Sequence, residues 1–223
     1  IRWSKAIWVG PYAFMIGCVG PTTDDTDTDD PSKGQTVRLL SWNVQSLGGV
    51  GSAQYDAAQS ILARLNPDVV ALNEVEDFEV SALNSLATDL GYEEVFVPND
   101  NPFGSLRNAV LSRFPLEGRT AYTSKELSGD GTANDLTRLP IEVRVNLPDT
   151  RQELVVVSQH WKAGSYTDDA FRRAVDGQRT AQVGMRWNPI TDWVVIMGDV
   201  NAEIDEVPGN PVTFSYVPGN MPS

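Results

Sequence analysis

The feature that most constrains this chain is an apolar run that stops abruptly at polar residues, in the segment VVIMGDVNAE from Val194 to Glu203. Four consecutive apolar residues behind a tryptophan predict a strand that is buried on both faces, and Gly198 lets the backbone turn sharply at its end. Asp199 and Asn201 stand two residues apart, so in an extended segment both side chains project to the same side. An Asx turn that closes a strand explains the same residues equally well, and the rest of the chain has to decide between the two interpretations.

Three further apolar runs end in the same way: Val37 to Trp42 at Asn43, Val69 to Leu72 at Asn73-Glu74, and Leu154 to Ser158 just before His160. Each polar residue taken singly has an ordinary explanation. On that interpretation Asn43 forms a turn, Glu74 is a solvated loop charge, and His160, the only histidine of the chain, is a satisfied structural residue. Independent turns have no reason to follow the most buried strands so regularly. The four strand ends together therefore predict one polar site.

The segments between these runs predict the remaining elements. Amphipathic helices are predicted from Ser52 to Leu65, from Leu83 to Leu90 and from Asp168 to Arg186. Further strands, separated by Pro, Gly and Asn turns, are predicted for Tyr92–Val97, Asn108–Ser112, Leu116–Tyr122 and Leu139–Leu147. Many strands with a few helices predict two sheets packed together, with the helices outside.

Composition excludes several classes of function. The 223 residues carry a formal net charge of -13, which argues against a protein held on nucleic acid by its own lysines and arginines. A bound divalent cation can still supply positive charge locally, so an enzyme that meets phosphate through a metal remains open. The single cysteine rules out an intrachain disulfide framework, and no apolar run approaches the roughly 20 residues that span a bilayer.

The N-terminal segment has the layout of an export signal. Two basic residues precede a mostly apolar run from Ala6 to Gly17 that ends at Cys18. The sequence MIGC at its end resembles the lipobox of bacterial lipoproteins, which predicts a targeting segment over 1–18 with lipidation at Cys18. A plain export signal, or an N-terminal strand with a buried thiol, are the alternatives. The acidic stretch that follows predicts a disordered linker over 19–36, and hence an extracytoplasmic protein, either secreted or anchored in the cell envelope through Cys18 alone.

The polar groups at the strand ends suit hydrolysis of a phosphodiester. Negative charge develops on the phosphoryl and leaving oxygens, and a hard divalent cation neutralises it. Glu74 and Asn43 offer the oxygen ligands that Mg²⁺ prefers, with Mn²⁺ and Ca²⁺ as alternatives. His160 can donate to a phosphoryl oxygen or protonate the leaving group, and Asp199 can orient or deprotonate the attacking water. The candidates for phosphate contacts, each with a solvated surface charge as the alternative, are Arg113, Arg138, Lys162 and Arg179.

Five segments in order, SWNVQSLG, PDVVALNEVED, NAVLSRFPL, VVVSQHWKAG and VVIMGDVNAE, resemble the endonuclease/exonuclease/phosphatase superfamily. The first, second and last are most similar to secreted, DNase I-like members. The resemblance covers about Val37 to Glu203 and implies an α/β fold, a four-layered α/β sandwich of two packed, mostly antiparallel sheets flanked by helices, over a domain at 37–223. By the same resemblance, the residues fall on family positions as follows: Asn43 and Glu74 on the metal site, His160 on the phosphate-contacting catalytic histidine, and Asp199 with Asn201 on the Gly-Asp-x-Asn pair that aligns water and phosphate.

Two departures from the family pattern matter. Gln45 stands where abasic-site endonucleases usually carry aspartate, which disfavours that subgroup. The family ends on a strand with a Ser-Asp-His segment, and nothing after Asn201 matches it. Since the sequence does not begin with methionine either, we expect a chain truncated at both ends, with a sandwich incomplete at its C-terminus and weak or no activity as it stands.

The sequence thus favours an extracytoplasmic, metal-dependent, DNase I-like nuclease with nucleic acid as substrate and no protein partner. A lipid or inositol-phosphate phosphoesterase of the same fold is the runner-up, because substrate choice lies in loops that a single sequence does not decode. The third alternative is a catalytically silent surface-binding lipoprotein. The five polar residues at the strand ends argue against it, since a binding protein has no need of all five.

Overall fold

The computed structural model describes residues 36–148, 153–188 and 191–202, together with the backbone of two strands nearer the N-terminus. The strands are β1 Arg2–Trp8, β2 Ala13–Val19, β3 Arg38–Asn43, β4 Val69–Val75, β5 Glu94–Phe96, β6 Arg107–Ser112, β7 Leu116–Ala121, β8 Ile141–Val145, β9 Leu154–His160 and β10 Trp193–Asp199. The helices are α1 Ala53–Leu65, α2 Val80–Asp89, α3 Ser124–Ser128 and α4 Thr167–Gly184, with a short 3₁₀ helix at Asp77–Glu79.

The strands form two sheets. The first sheet has the order β1-β2-β3-β4-β6-β5, and the second has the order β10-β9-β8-β7. Within them only β3 with β4 and β9 with β10 pair in parallel, while every other pair is antiparallel. Parallel pairing places the ends of β3 and β4, and of β9 and β10, at the same edge of their sheets. The predicted mostly antiparallel sheets are confirmed.

Alternation along the strands separates three apolar layers. In β4, Val69 and Ala71 face the second sheet, whereas Val70 and Leu72 face α1 and α2. In β9, the even-numbered Val156 faces the first sheet and its odd-numbered neighbours face the helix side with α4. Helices therefore cover the outer face of each sheet, and the predicted four-layered α/β sandwich is confirmed.

Local capping chemistry places the first helix. Ser52 Oγ accepts a hydrogen bond from the Tyr55 N–H at 3.2 Å, which satisfies a free donor of the first turn of α1. Asn66 ends the same helix in the left-handed conformation, and its N–H donates to the Leu62 carbonyl. The buried side chains Tyr55, Ala58 and Leu62 form the apolar face that the sequence predicts.

The structure does not test the predictions for the N-terminal segment. The backbone of β1 pairs with β2, and that of β2 pairs with β3 at the edge of the first sheet. The Cys18 side chain and residues 20–35 lie outside the part of the chain that the structure describes, so the targeting segment, lipidation and linker stay predictions. Within the described residues, the helices are too short or too polar to cross a bilayer.

Candidate active site at the strand ends

Three strand ends meet at one buried amide. The Asn43 Nδ2 group, at the end of β3, donates to Glu74 Oε1 and to Asp199 Oδ2, each at 2.9 Å. Glu74 belongs to β4 in the first sheet and Asp199 to β10 in the second. One amide nitrogen thus holds together two carboxylates that come from opposite sheets.

The orientation of this amide follows from its other bond. The Gln45 N–H donates to Asn43 Oδ1 at 3.0 Å. If the amide were flipped, its nitrogen would face the Gln45 N–H and its oxygen would face the two carboxylates. The hydrogen-bond network therefore determines the orientation of the amide. One lone pair of Asn43 Oδ1 remains outside the bonds formed among the described residues.

His160 lies beside this pair, at the end of β9. Its Nε2 is 3.6 Å from Glu74 Oε1, and its side chain is 1% exposed. Burial, and to a smaller extent the positive charge of Arg138, lower the pKa of His160 to about 4 against the opposing negative charge of Asp199. The imidazole is therefore neutral near pH 7, and its approach to Glu74 is a contact rather than an ion pair. Among the described residues, neither ring nitrogen has a hydrogen-bond partner.

Glu74 sits in a β-bulge that re-aims its carboxylate. Its φ is 62°, and the register with β6 shifts between Leu72 and Val75. Leu72 and Val75 both belong to the layer that faces the helices, although they are three residues apart. One extra residue therefore interrupts the usual alternation between them, which is a β-bulge. A left-handed glutamate costs on the order of 1–3 kcal/mol, and such conformations concentrate at functional sites. The side chain reaches the strand ends and stays 25% exposed.

Further left-handed residues surround the site. Five residues other than glycine have positive φ in the described chain, and four of them flank the strand ends: Gln45, Ser46, Glu74 and Asn201. Glu79 holds the loop after β3 in this conformation, since its buried carboxylate accepts from the Ser46 hydroxyl and from the N–H groups of Leu47 and Gly48 at 3.0 and 2.6 Å. The net effect of these bonds, against burial, is to lower the pKa of Glu79. The loop is therefore fixed by an ionised side chain.

The turn after β10 combines the two roles that the sequence left open. The Asn201 N–H donates to Asp199 Oδ1 at 2.9 Å, which is an Asx turn, and this bond orients the carboxylate whose other oxygen faces Asn43. Asn201 Nδ2 donates to the Trp161 carbonyl at 3.0 Å, tying the turn to the loop after β9. Gly198 has a φ of 132°, and a Cβ there would stand 1.8 Å from the Gln159 carbonyl oxygen. Only glycine fits at this position.

Arg138 is the predicted cation that the structure brings to the site. It is partly buried in the segment before β8 and interacts electrostatically with Glu74, Asp176 and Asp199. Burial lowers the pKa of Arg138, and the three carboxylates counteract that shift. No described residue accepts a hydrogen bond from its guanidinium group, which leaves that group available to an anion.

The structure places the other three predicted phosphate contacts away from the strand ends or engages their charged groups elsewhere. Arg113 lies at the opposite end of the first sheet, because β6 runs antiparallel to β4 and ends where β4 begins. Arg179 is fully buried and bonds to Asp135 Oδ2 through Nε and Nη2 at 3.1 and 2.6 Å, so no substrate reaches it. Lys162 is close in sequence to the site, but its ammonium group pairs with Asp169 at 2.8 Å.

Sequence reasoning missed two kinds of residue. Asn73 and Asn108 are buried amides at period-two positions of apolar strands, and a polar residue that interrupts such a pattern is the signal that would have found them. Asp176, on α4, is nearly fully buried, and its Oδ2 accepts from the Lys162 N–H at 2.7 Å. Burial raises the pKa of Asp176 to about 7. No local pattern distinguishes it from the surface aspartates of the same helix.

The site fits a cation that brings most of its own ligands. Within the described residues, no group of three or more His, Cys, Asp or Glu side chains is arranged to hold a metal ion. Glu74 and Asp199 nevertheless offer carboxylate oxygens, and Asn43 offers an amide oxygen. Mg²⁺ typically keeps several waters and needs only one or two carboxylates together with substrate phosphate oxygens. The donor set therefore suits a hard divalent cation.

The family follows from the whole pattern of strands and strand ends. The family model described as the Endonuclease/Exonuclease/phosphatase family matches residues 40–221. The chain belongs to this family. Members of the Endonuclease/Exonuclease/phosphatase family are hydrolases that act on phosphodiester bonds, and they generally use divalent metal ions. A comparison with curated proteins finds no match.

Solved structures of this family share the fold at low sequence identity. A Beutenbergia cavernae endonuclease/exonuclease/phosphatase is 20% identical with a TM-score of 0.60, over 78% of this chain and 50% of that one. D. rerio TDP2 with a single-strand DNA product is 20% identical with a TM-score of 0.56, over 77% and 63%. The human Nocturnin catalytic domain with bound sulfate is 19% identical with a TM-score of 0.56, over 75% and 65%. The chain spans half the length of the Beutenbergia protein.

Proposed function

We propose that this chain is a divalent-metal-dependent phosphodiesterase that cleaves nucleic acid outside the cytoplasm. The observation that carries the proposal is the meeting of Glu74 and Asp199 at the Asn43 amide, with the neutral His160 against Glu74. Carboxylates, an amide and an imidazole with unused hydrogen-bonding capacity form the set that phosphodiester hydrolysis requires.

Each residue has a role that follows from its surroundings. Glu74, the more exposed carboxylate of the bulge, is placed to bind the cation, and Asn43 Oδ1 keeps one lone pair for it. When bound, the cation neutralises charge that develops on the phosphoryl and leaving oxygens. Asp199 is oriented by the Asx turn to accept a proton from, or align, the attacking water. His160, neutral near pH 7, donates an N–H to a phosphoryl oxygen, and Arg138 adds the positive charge.

Asn201 acts through the turn. Its N–H orients Asp199, and one hydrogen of its side-chain Nδ2 is used by the Trp161 carbonyl. The amide oxygen remains for a water or a cation ligand, and the second Nδ2 hydrogen remains for an acceptor. The main role of Asn201 is therefore to align Asp199, and contact with substrate is its secondary role.

Nucleic acid is the substrate class that we favour. The net charge of -13 leaves little positive surface, so the metal and Arg138 carry most of the phosphate contact and sequence specificity is expected to be low. The D. rerio TDP2 structure of the same fold holds a single-strand DNA product, which supports testing DNA first. The layout of residues 1–18, which the sequence predicts to be an export signal, supports an extracytoplasmic location.

The test is cleavage by the purified full-length gene product of supercoiled plasmid, single-stranded DNA and RNA, with Mg²⁺ or Mn²⁺ and with or without chelator. Sphingomyelin vesicles and inositol phosphates run in parallel. We expect chelator-sensitive cleavage of nucleic acid that Glu74→Gln abolishes and that Asp68→Asn, at the other end of β4, leaves intact. Cleavage that persists in chelator would contradict the metal role. Turnover of sphingomyelin or inositol phosphate alone would show that nucleic acid is the wrong substrate class. No turnover of any of them would favour a binding protein.

A further inference from the structure

Two buried asparagines connect the sheets directly behind the site. Asn73, on β4, is completely buried, and its Oδ1 accepts from the Asp199 N–H at 2.8 Å. Its Nδ2 donates to the Gln159 carbonyl at 3.0 Å and to Asn108 Oδ1 at 2.7 Å. Asn108, on β6, in turn donates to the Leu139 carbonyl at 2.9 Å. Two amides of the first sheet therefore bond to β9, to β10 and to the segment that leads into β8.

The bonds of this pair leave one arrangement. Both hydrogens of Asn73 Nδ2 are used, and its oxygen faces a main-chain donor, so the amide cannot flip without opposing like groups. A buried pair in which every side-chain hydrogen-bonding atom of Asn73 is engaged favours a single geometry, because any displacement of one sheet leaves a main-chain group without a partner.

Apart from the Asn43–Asp199 bond and an ion pair between Arg119 of β7 and Glu94 of β5, the contact between the sheets is mostly apolar. The apolar part consists of aliphatic side chains from both sheets, among them Val69, Ala71, Val110, Val143, Val156, Val195 and Met197. Apolar burial favours contact but is not directional, so it resists separation of the sheets more than small sliding. The asparagine pair adds fully buried directional bonds to the bond between Asn43 and Asp199, at the end where Glu74 meets Asp199.

We propose that Asn73 and Asn108 are positioning residues that fix the register of the second sheet on the first, and so hold Asp199 and His160 at catalytic distance from Glu74. Asn73 is adjacent to Glu74 in sequence and bonds to the main chain of Asp199. A single residue therefore links Glu74, the proposed metal ligand, to Asp199, which is proposed to align the attacking water. This inference rests on the proposed hydrolase function. Neither amide is exposed, so neither touches substrate.

A positioning role predicts a loss in turnover rather than in binding. A displacement of about 1 Å at reacting groups costs on the order of 100-fold in rate. We expect Asn73→Ala to lower kcat on the order of 10–100-fold and Asn108→Ala on the order of 3–10-fold, with KM changed less than about threefold. Because the two act in one chain of bonds, the double variant should resemble Asn73→Ala alone.

Val110→Ala is the matched control. Val110 lies two residues from Asn108 on the same face of β6 and is completely buried in the apolar contact between the sheets. We expect it to lower the Tm by a similar amount while kcat stays within about twofold of the unaltered chain, since apolar truncation leaves the directional bonds intact. If the asparagine variants fall on the same relation between Tm and kcat as Val110→Ala, the amides are merely structural and the inference is overturned.

Hydrogen exchange tests the bonds without any turnover. In the unaltered chain the Asp199 N–H should be protected, and Asn73→Ala should make it exchange about tenfold faster or more, whereas Val110→Ala should not change it selectively. Should Asn73→Ala fail to fold, Asn108→Ala carries the same kinetic test. A chain without phosphodiesterase activity in which Asp199 exchange still responds would disprove the proposed function but leave the sheet connection. Unchanged exchange would disprove the connection itself.

Discussion

The two ends of β4 use the same kinds of residue in opposite ways. At the beginning of the strand, Asp68 accepts from the Arg38 N–H at 2.7 Å and donates its own N–H to the Arg38 carbonyl at 2.8 Å. Arg113 stacks on Tyr92, 4.6 Å from the ring centroid, and bonds to three neighbouring oxygens. Every one of these polar groups has a local partner.

The other end leaves hydrogen-bonding capacity unused. Among the described residues, the buried polar atoms without a partner include both His160 nitrogens, Gln159 Oε1, Ser158 Oγ and Thr137 Oγ1, all on the last residues of β9 or next to Arg138. Buried polar atoms without partners are costly, so their concentration at one edge needs a reason. The end of β4 that suits the proposed site is therefore the end where polar groups are buried and incompletely bonded, and the other end has polar groups that are all satisfied locally.

Exchanging one carboxylate at each end gives the largest contrast. Under the proposed function, Asp199→Asn removes the group that aligns or deprotonates the attacking water and should lower kcat on the order of 10²–10⁴-fold. Asp68→Asn keeps an oxygen for the Arg38 N–H and should leave kcat within about twofold. Steady-state cleavage of a labelled oligonucleotide with Mg²⁺ measures both. Equal losses in the two variants would remove the distinction between the two ends.

Arginine gives the next contrast. Under the proposed function, Arg138→Ala should lower kcat/KM on the order of 100-fold, because it removes the positive charge proposed to contact the phosphate. Its unfolding free energy should change little, because the lost attraction to three carboxylates is offset by the relief of burying a guanidinium group. The same kinetic assay, with urea unfolding beside it, checks both statements. A variant with normal kcat/KM would exclude Arg138 from the site.

The pH dependence of stability should come from the site end. Burial lowers the pKa of His160 from 6.5 to about 4, so the unfolded chain binds the proton first and stability is lost as pH falls from about 6.5 to 4. The loss attributable to His160 is on the order of 3 kcal/mol. Asp176 acts oppositely, because its pKa is raised to about 7 and its contribution is lost as pH rises from 3.8 to 7. Subtracting the unfolding free energy of His160→Gln, measured in chelator at each pH, isolates the histidine.

A pH-independent difference between the unaltered chain and His160→Gln would show that the imidazole is not buried as the structure has it. Tyr92, at the opposite end of β4, is the reference residue for this comparison. A tyrosine does not titrate in the acid range, and burial raises the pKa of Tyr92 further, to about 12.

Arg113→Met is expected to have the smallest effect. It removes the stacking on Tyr92 and partly exposed hydrogen bonds, and should lower the unfolding free energy by about 1 kcal/mol without changing kcat. Urea unfolding and the oligonucleotide assay measure the two quantities. Lower activity at unchanged stability would mean that the two ends of β4 are coupled in catalysis.

Strand ends were predictable because their signal is local. Apolar runs that stop at Asn43, Glu74, His160 and Asp199 identify buried strands and the residues that follow them, and β3 with β4 and β9 with β10 indeed end together. The cations were not predictable in the same way. Arg138 and Arg113 each stand next to an apolar segment, but strand direction alone decides which one faces the carboxylates.

The residues between the sheets were missed for a related reason. Asn73 and Asn108 interrupt apolar alternation, and sequence alone does not show whether such an amide faces solvent, a helix or another sheet. The bulge at Glu74 is also absent from the local pattern, since VALNEV is compatible with a regular strand. Its position became visible only from the register with β6 and the layer to which Val75 belongs.

The sequence by itself determined the family, the buried strands and the polar residues that end them, because alternation and apolar runs depend on neighbours along the chain. Only the tertiary structure decided that Asn43 lies between Glu74 and Asp199, that Asn73 bonds to the main chain of β10, and that Arg138 rather than Arg113 accompanies them. These contacts join residues far apart in sequence, and they depend on how two sheets stack and in which direction each strand runs.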